Sequence, residues 1–148
     1  MMVDEAKFHI GIKAMILNDR NEILLLRSGP EETKHTRVEY WDFPGGRIKE
    51  GHGIEQTLRR EITEELGIPG EKLEISGIFD ATISNFRMSH GENVLLMLLV
   101  YRCRLPGKHE FRLSDEHSEW KWTDIGKAKG VLGVKYPQVF LDKLNELG

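Results

Sequence analysis

Apolar positions recur along this chain with two different periods, and the change of period marks out its elements. Residues 9–17 and 22–27 are apolar-rich runs separated by the turn sequence Asn18-Asp19-Arg20-Asn21, which predicts two strands joined as a hairpin. A polar connection over 28–39 follows, long enough to be functional or unstructured. Tyr40-Trp41-Asp42-Phe43-Pro44 predicts a short strand that ends in a tight turn at Gly45 and Gly46. From about 53 to 66 the spacing becomes helical. Ile54, Leu58, Ile62 and Leu66 form one apolar stripe, and Gly67 and Pro69 supply the stop. Residues 73–84 are strand-like, 85–91 turn-like, and 94–105, the most apolar stretch, predicts a central strand. A loop is expected over 106–115 and a strand over the alternating 116–122. Val139, Phe140, Leu144 and Leu147 give 136–147 the face of an amphipathic helix. Strands interrupted by two helices predict a mixed α/β fold, and 148 residues suit one domain, 1–148.

The acids of the first helix do not sit where a solvated face would put them. With about 100° per residue and Leu58 at zero, the apolar stripe covers about −40° to +80°. Glu65, Glu61 and Glu64 then fall at about −20°, −60° and −120°, while Arg59 and Arg60 fall at about +100° and +200°. A solvated acidic face should oppose the stripe. Carboxylates at a core edge are costly unless paired, and Glu61 and Glu65 repel at i,i+4. A hard divalent cation with oxygen ligands, Mg²⁺ or Mn²⁺, removes both problems. On spacing alone, the metal site and the solvated face both stay open.

The same residues carry a resemblance. Gly46 begins, and Arg60, Glu61, Ile62, Glu64, Glu65, Gly67 and Ile68 complete, a pattern that resembles the Nudix box of the MutT-like hydrolases: Gly, five residues, Glu, seven residues, then Arg-Glu-apolar-any-Glu-Glu-any-Gly-apolar. One position departs, since His52 stands where the family has its first Glu. The resemblance implies an α/β/α sandwich around a mixed sheet, with the box as loop-helix-loop. It implies a metal-dependent pyrophosphohydrolase that cleaves a diphosphate linkage in a nucleoside di- or triphosphate derivative. The ligands to Mg²⁺ or Mn²⁺ would be Glu61, Glu64, Glu65 and the backbone carbonyl of Gly46. Glu64 is the first candidate for the general base. The segment EHSEWKW resembles a downstream family feature and adds Glu116 as a further ligand or base, with Glu119 a weaker candidate. Arg60 is expected to brace the glycine loop and His52 to face solvent. Nudix-like folds also serve as nucleotide-sensing modules, which is the alternative reading. An isomerase of the isopentenyl diphosphate type shares the fold, but Cys103 is the only thiol and has no catalytic setting.

Composition narrows the partners. A net charge of −3 gives no electrostatic footprint for a nucleic-acid polymer, so a small nucleoside phosphate is expected. Arg27 and the loop residues Lys34, His35 and Arg37 could meet its phosphates, and Trp41, Phe86 or Trp120 could stack on its base. Phe86 lies where a subgroup acting on dinucleoside polyphosphates has a tyrosine, and the proline of an ADP-sugar subgroup is missing. Both comparisons point to a nucleoside triphosphate-type or unassigned substrate. Cys103 cannot form an internal disulfide and sits in an apolar run, so a buried structural thiol is expected. MMVDEAKFHIG lacks a basic segment leading into an apolar one, so no secretory signal is expected. The longest apolar run, 94–101, is too short to span a bilayer. A cytoplasmic monomer or homodimer with no membrane partner is the resulting expectation.

Overall fold

The computed structural model describes residues 3–87 and 93–148. Two sheets lie at its centre. β1 (Lys7–Ile16) pairs in parallel with β6 (Val94–Arg104) and antiparallel with β4 (Gly45–Arg47); β5 (Glu74–Arg87) pairs antiparallel with β6, giving the order β4-β1-β6-β5. The second sheet is antiparallel and has the order β3-β2-β7, from Trp41–Asp42, Ile23–Ser28 and His117–Thr123.

The layers follow from the two-residue period of the strands. Ile12, Ala14 and Ile16 of β1, with Leu24 and Leu26 of β2, face Leu58, Ile62 and Leu66 of α2 (Ile54–Leu66). Met15, Ile23 and Leu25 face the other way, onto Ala128 and Leu132 of α3 (Ile125–Leu132) and Phe140 and Leu141 of α4 (Gln138–Lys143). Helices therefore cover both sides of the sheets, the expected α/β/α sandwich. The 94–105 segment is an interior strand, as its composition requires. Cys103 is fully buried, and burial pushes its thiol up to about 12. No helix among the described residues is long and apolar enough to cross a membrane.

Several local expectations are corrected. β1 and β2 are not a hairpin. They belong to different sheets, and their only ladder pairing is the isolated Leu17–Ile23 bridge. Asn18 makes the corner, its Oδ1 accepting from the backbone N–H groups of Arg20 at 3.0 Å and Glu22 at 2.9 Å. The 28–39 connection contains α1 (Pro30–Thr36), with Pro at its start, Glu31 and Glu32 in its first turn and Lys34 and His35 in its last. It buries no residue, so apolar periodicity could not reveal it. Gly45 and Gly46 belong to a strand as well as to the turn. α3 was not expected because Gly126 and Gly130 weaken its propensity; Asp124 starts it by accepting from Lys127 N at 2.9 Å. The C-terminal helix begins after Pro137, and its last turn is a 3-10 segment, Leu144–Leu147. Phe140, Leu144 and Leu147 are buried, but Val139 is 67% exposed. Of the 85–91 turn, residues 85–87 continue β5 and the remainder lies outside the described residues.

Candidate active site

The site begins where β4 passes under α2. Gly45 has φ +152°, and a Cβ there would stand 2.8 Å from the Cα of Lys13 on β1. A Cβ on Gly46 would stand 2.5 Å from Cδ of Glu61. Gly45 therefore needs glycine, because backbone stands in the way, whereas a side chain at Gly46 would displace the Glu61 carboxylate. The approach brings the β4 backbone to the helix carboxylates: Gly45 N donates to Glu65 Oε2 at 3.3 Å.

The three helix acids differ sharply in exposure. Glu65 is 2% exposed, the Glu61 side chain 12% and the Glu64 side chain 59%. Burial raises the Glu65 carboxyl well above its usual value; Lys13 opposes this and Glu61 adds to it. Glu116 comes to the same place from the loop before β7. Gly29 N donates to the Glu116 carbonyl at 2.8 Å, and a Cβ on Gly29 would stand 2.7 Å from the Asp115 carbonyl, so glycine lets the β2–α1 turn clamp this loop. The Glu116 carboxyl is raised by burial and then by Glu61 and Glu32. Beside it, burial pushes the His117 imidazole down to about 4. One ligand atom each of Glu65, Glu116 and His117 lies within 4.8 Å of the others.

Arg60 reaches farther than its place on the helical wheel suggested. Its Nη1 donates to His52 Nδ1 at 2.6 Å, Nη2 to Glu61 Oε1 at 3.4 Å, and its Nε lies 3.8 Å from Glu64 Oε1. A long side chain crosses the angular gap that separates the Cα positions. His52 is thus half-buried and accepts from Arg60 instead of facing solvent, so the loop end is tied to the helix by a neutral acceptor.

Beneath the carboxylates lies a polar nest that sequence reasoning missed. Asp42 Oδ2 meets Lys13 Nζ at 2.9 Å and Lys135 Nζ at 2.6 Å; its Oδ1 accepts from Tyr136 OH at 2.6 Å and Phe43 N at 2.8 Å. Burial alone would raise this carboxyl, but the two ammonium groups hold it well below the usual carboxylate range. Lys13 also faces Glu65 and Glu61 and is held above its usual value despite burial, whereas burial lowers Lys135. Lys135 Nζ lies 5.3 Å from the Tyr40 ring centroid and 5.8 Å from that of Phe86, and Tyr40 OH donates to Glu32 Oε1 at 2.9 Å. The available signal was a Lys inside an apolar strand and an Asp between aromatics. Neither specifies a partner.

The substrate candidates are not gathered as expected. Arg27 is held by Glu119 at 3.1 Å and by Glu39, on the sheet next to Trp41. Trp41 is half-buried against the Met15 core. Arg37 is exposed and ends α1 with φ +64°. Phe86 packs edge-on to Tyr40 and Trp120 edge-on to Phe111.

Comparison with known proteins decides the family. A family model described as the NUDIX domain matches residues 7–141. The chain belongs to the Nudix hydrolase family. Its class of chemistry is therefore hydrolysis of phosphoric anhydride bonds. The MutT protein of Methanosarcina mazei Go1 has the same fold, with a TM-score of 0.71 and 26% identity, covering 98% of this chain and 96% of that one. An Ap4A hydrolase of C. elegans, at 22% identity, superposes with a TM-score of 0.68 over 95% of this chain and 96% of its own. Among curated relatives, the RNA pyrophosphohydrolase of Legionella pneumophila is 23% identical over 99% of this chain and 87% of its own length. The nucleoside triphosphatase NudI of Salmonella typhimurium is 31% identical over 55% of this chain and 60% of its own length. In this Nudix chain the box, from Gly46, supplies most of β4, the Arg60–His52 tie and the α2 carboxylates.

Proposed function

We propose that this Nudix domain, spanning the whole chain, is a Mg²⁺- or Mn²⁺-dependent pyrophosphohydrolase acting on a small nucleoside di- or triphosphate derivative. One observation carries the reading. Glu61 and Glu65 meet the Gly45–Gly46 backbone, Glu65 buried and Glu61 nearly so, while Glu116 reaches Glu65 from the exposed loop before β7 and Lys13 faces the group. The donor set fits a hard divalent cation. Carboxylate oxygens predominate, and the Glu61 carboxylate packs directly against the Gly46 backbone. Glu61, Glu64, Glu65, Glu116 and the Gly46 carbonyl would hold the ion. When bound, such an ion supplies Lewis acidity and lowers the pKa of water.

The chain's own groups do the rest. Glu64, exposed at the outer edge of the cluster, takes the proton from the attacking water. Glu116, which approaches from the loop before β7, is the alternative. Arg60 holds Glu61 and Glu64 in place. Arg37 is exposed and can approach phosphate directly, whereas Arg27 does so only by exchanging Glu39 or Glu119. Trp41 offers its exposed edge to the substrate.

The test is a phosphate- and pyrophosphate-release screen over nucleoside triphosphates, nucleotide sugars and dinucleoside polyphosphates, with each metal. Turnover of at least one class that stops on chelation is expected. Nucleotide binding without turnover under either metal would replace the enzyme with the sensing module.

A further inference from the structure

We propose that His117 is a nitrogen ligand to the ion held by Glu65 and Glu116, which makes the centre a mixed oxygen–nitrogen site favouring Mn²⁺ over Mg²⁺. This rests on the reading of the carboxylates as a divalent-cation site. The ligand atoms of Glu65, Glu116 and His117 lie within 4.8 Å of one another. Glu65 is on α2 and His117 opens β7, so only the fold brings them together.

The condition of the ring is the second observation. Nδ1 of His117 is buried and has no hydrogen-bond partner, the only buried side-chain nitrogen or oxygen so placed among the described residues. An unmet buried polar atom is costly, so a histidine kept only for packing would be expected to have it satisfied. Coordination through Nδ1 would fix the imidazole and meet that atom's bonding need.

The backbone around His117 is built to aim it. The β2–β7 register shifts between Arg27 and Ser28, where Ser28 comes opposite His117. Such irregularities redirect a side chain near functional sites. Ser118 Oγ donates to the Ser28 carbonyl at 3.2 Å, and Gly29 N holds the Glu116 carbonyl, so the segment is fixed on both sides of the ring. Imidazole suits borderline transition ions, while Mg²⁺ prefers oxygen donors in a strict octahedron.

Titration of the metal-free protein with Mn²⁺ alone, followed by pulsed electron paramagnetic resonance, tests the assignment. The bound ion is expected to show ¹⁴N coupling in the parent and in His52→Gln, and none in His117→Gln. Mn²⁺ affinity of His117→Gln should fall by roughly the 10–100-fold seen for losing even an indirect metal contact, with a smaller change for Mg²⁺. Parent protein that binds Mn²⁺ without ¹⁴N coupling, or coupling that survives His117→Gln, overturns the proposal. Failure of the parent to bind either ion would instead remove the cation site itself. If His117→Gln does not fold, His117→Asn provides the same comparison, and the parent spectrum alone can still refute the assignment.

Discussion

Two carboxylates of this chain, Glu65 and Asp42, are equally buried at 2% exposure and are shifted in opposite directions. Desolvation disfavours the charged form of both. Asp42 sits between two ammonium groups, a tyrosine hydroxyl and a backbone N–H, and every one of them stabilises its charge. Glu65 has one long bond from Gly45 N, shares the influence of Lys13 with Asp42, and faces Glu61 and Glu116. The nest around Asp42 is complete within the protein. The shelf around Glu65 has acids in excess of the cations that face it. Burial thus does not set the direction of a carboxyl's shift; the count of local counter-charges does.

The largest expected effect separates the two regions by chemistry. Glu64→Gln should lower kcat by about 10²–10⁴-fold, the range for a lost general base, while nucleotide affinity stays within a few-fold of the parent. Glu116→Gln should cost less if Glu116 is auxiliary. Steady-state rates and equilibrium binding decide, and near-parental kcat for Glu64→Gln with a collapse for Glu116→Gln would transfer the role.

The next effect is on stability. Asp42→Asn leaves Lys13 and Lys135 buried without their counterion, and removing one partner from such a cluster costs about 3–5 kcal/mol. Denaturant unfolding should show a midpoint well below the parent's. Glu65→Gln in metal-free protein should be no less stable than the parent, since it relieves repulsion, while Mn²⁺ affinity drops strongly. Equal destabilisation by both substitutions would erase the contrast drawn between nest and shelf.

The smallest effect is a pair of opposite pH dependences. The folded pKa of Glu65 is raised, so its contribution is fully present below the unfolded value of 4.5 and is lost as pH rises through the folded value. Asp42 is depressed, so its contribution is present above the unfolded value of 3.8 and is lost as pH falls below the usual carboxylate range. Metal-free protein should therefore lose stability as pH rises above 4.5, and Glu65→Gln should flatten that slope. Unfolding midpoints measured across mildly acidic to neutral pH check the sign.

The sequence by itself determined the elements with strong periodicity and the residues whose meaning is local. Leu58, Ile62 and Leu66 of the α2 stripe, the placement of Glu61 and Glu65 near it, the apolar β6 and the glycines before the helix were legible because their spacing encodes a face, whereas Ile54, expected on the stripe, is exposed at the first turn. α1 and α3 were not legible: one buries nothing, and the other carries two glycines against its own propensity. Tertiary structure alone decided the sheet change at Asn18, since a turn sequence does not say which sheet the next strand joins. It alone decided that Lys13, Asp42, Lys135 and Tyr136 form one nest, and that His117 comes within reach of Glu65. Those partners are remote in sequence, and each reads locally as an isolated polar residue. Their charges acquire a sign of shift only when packing fixes how many counter-charges each one meets.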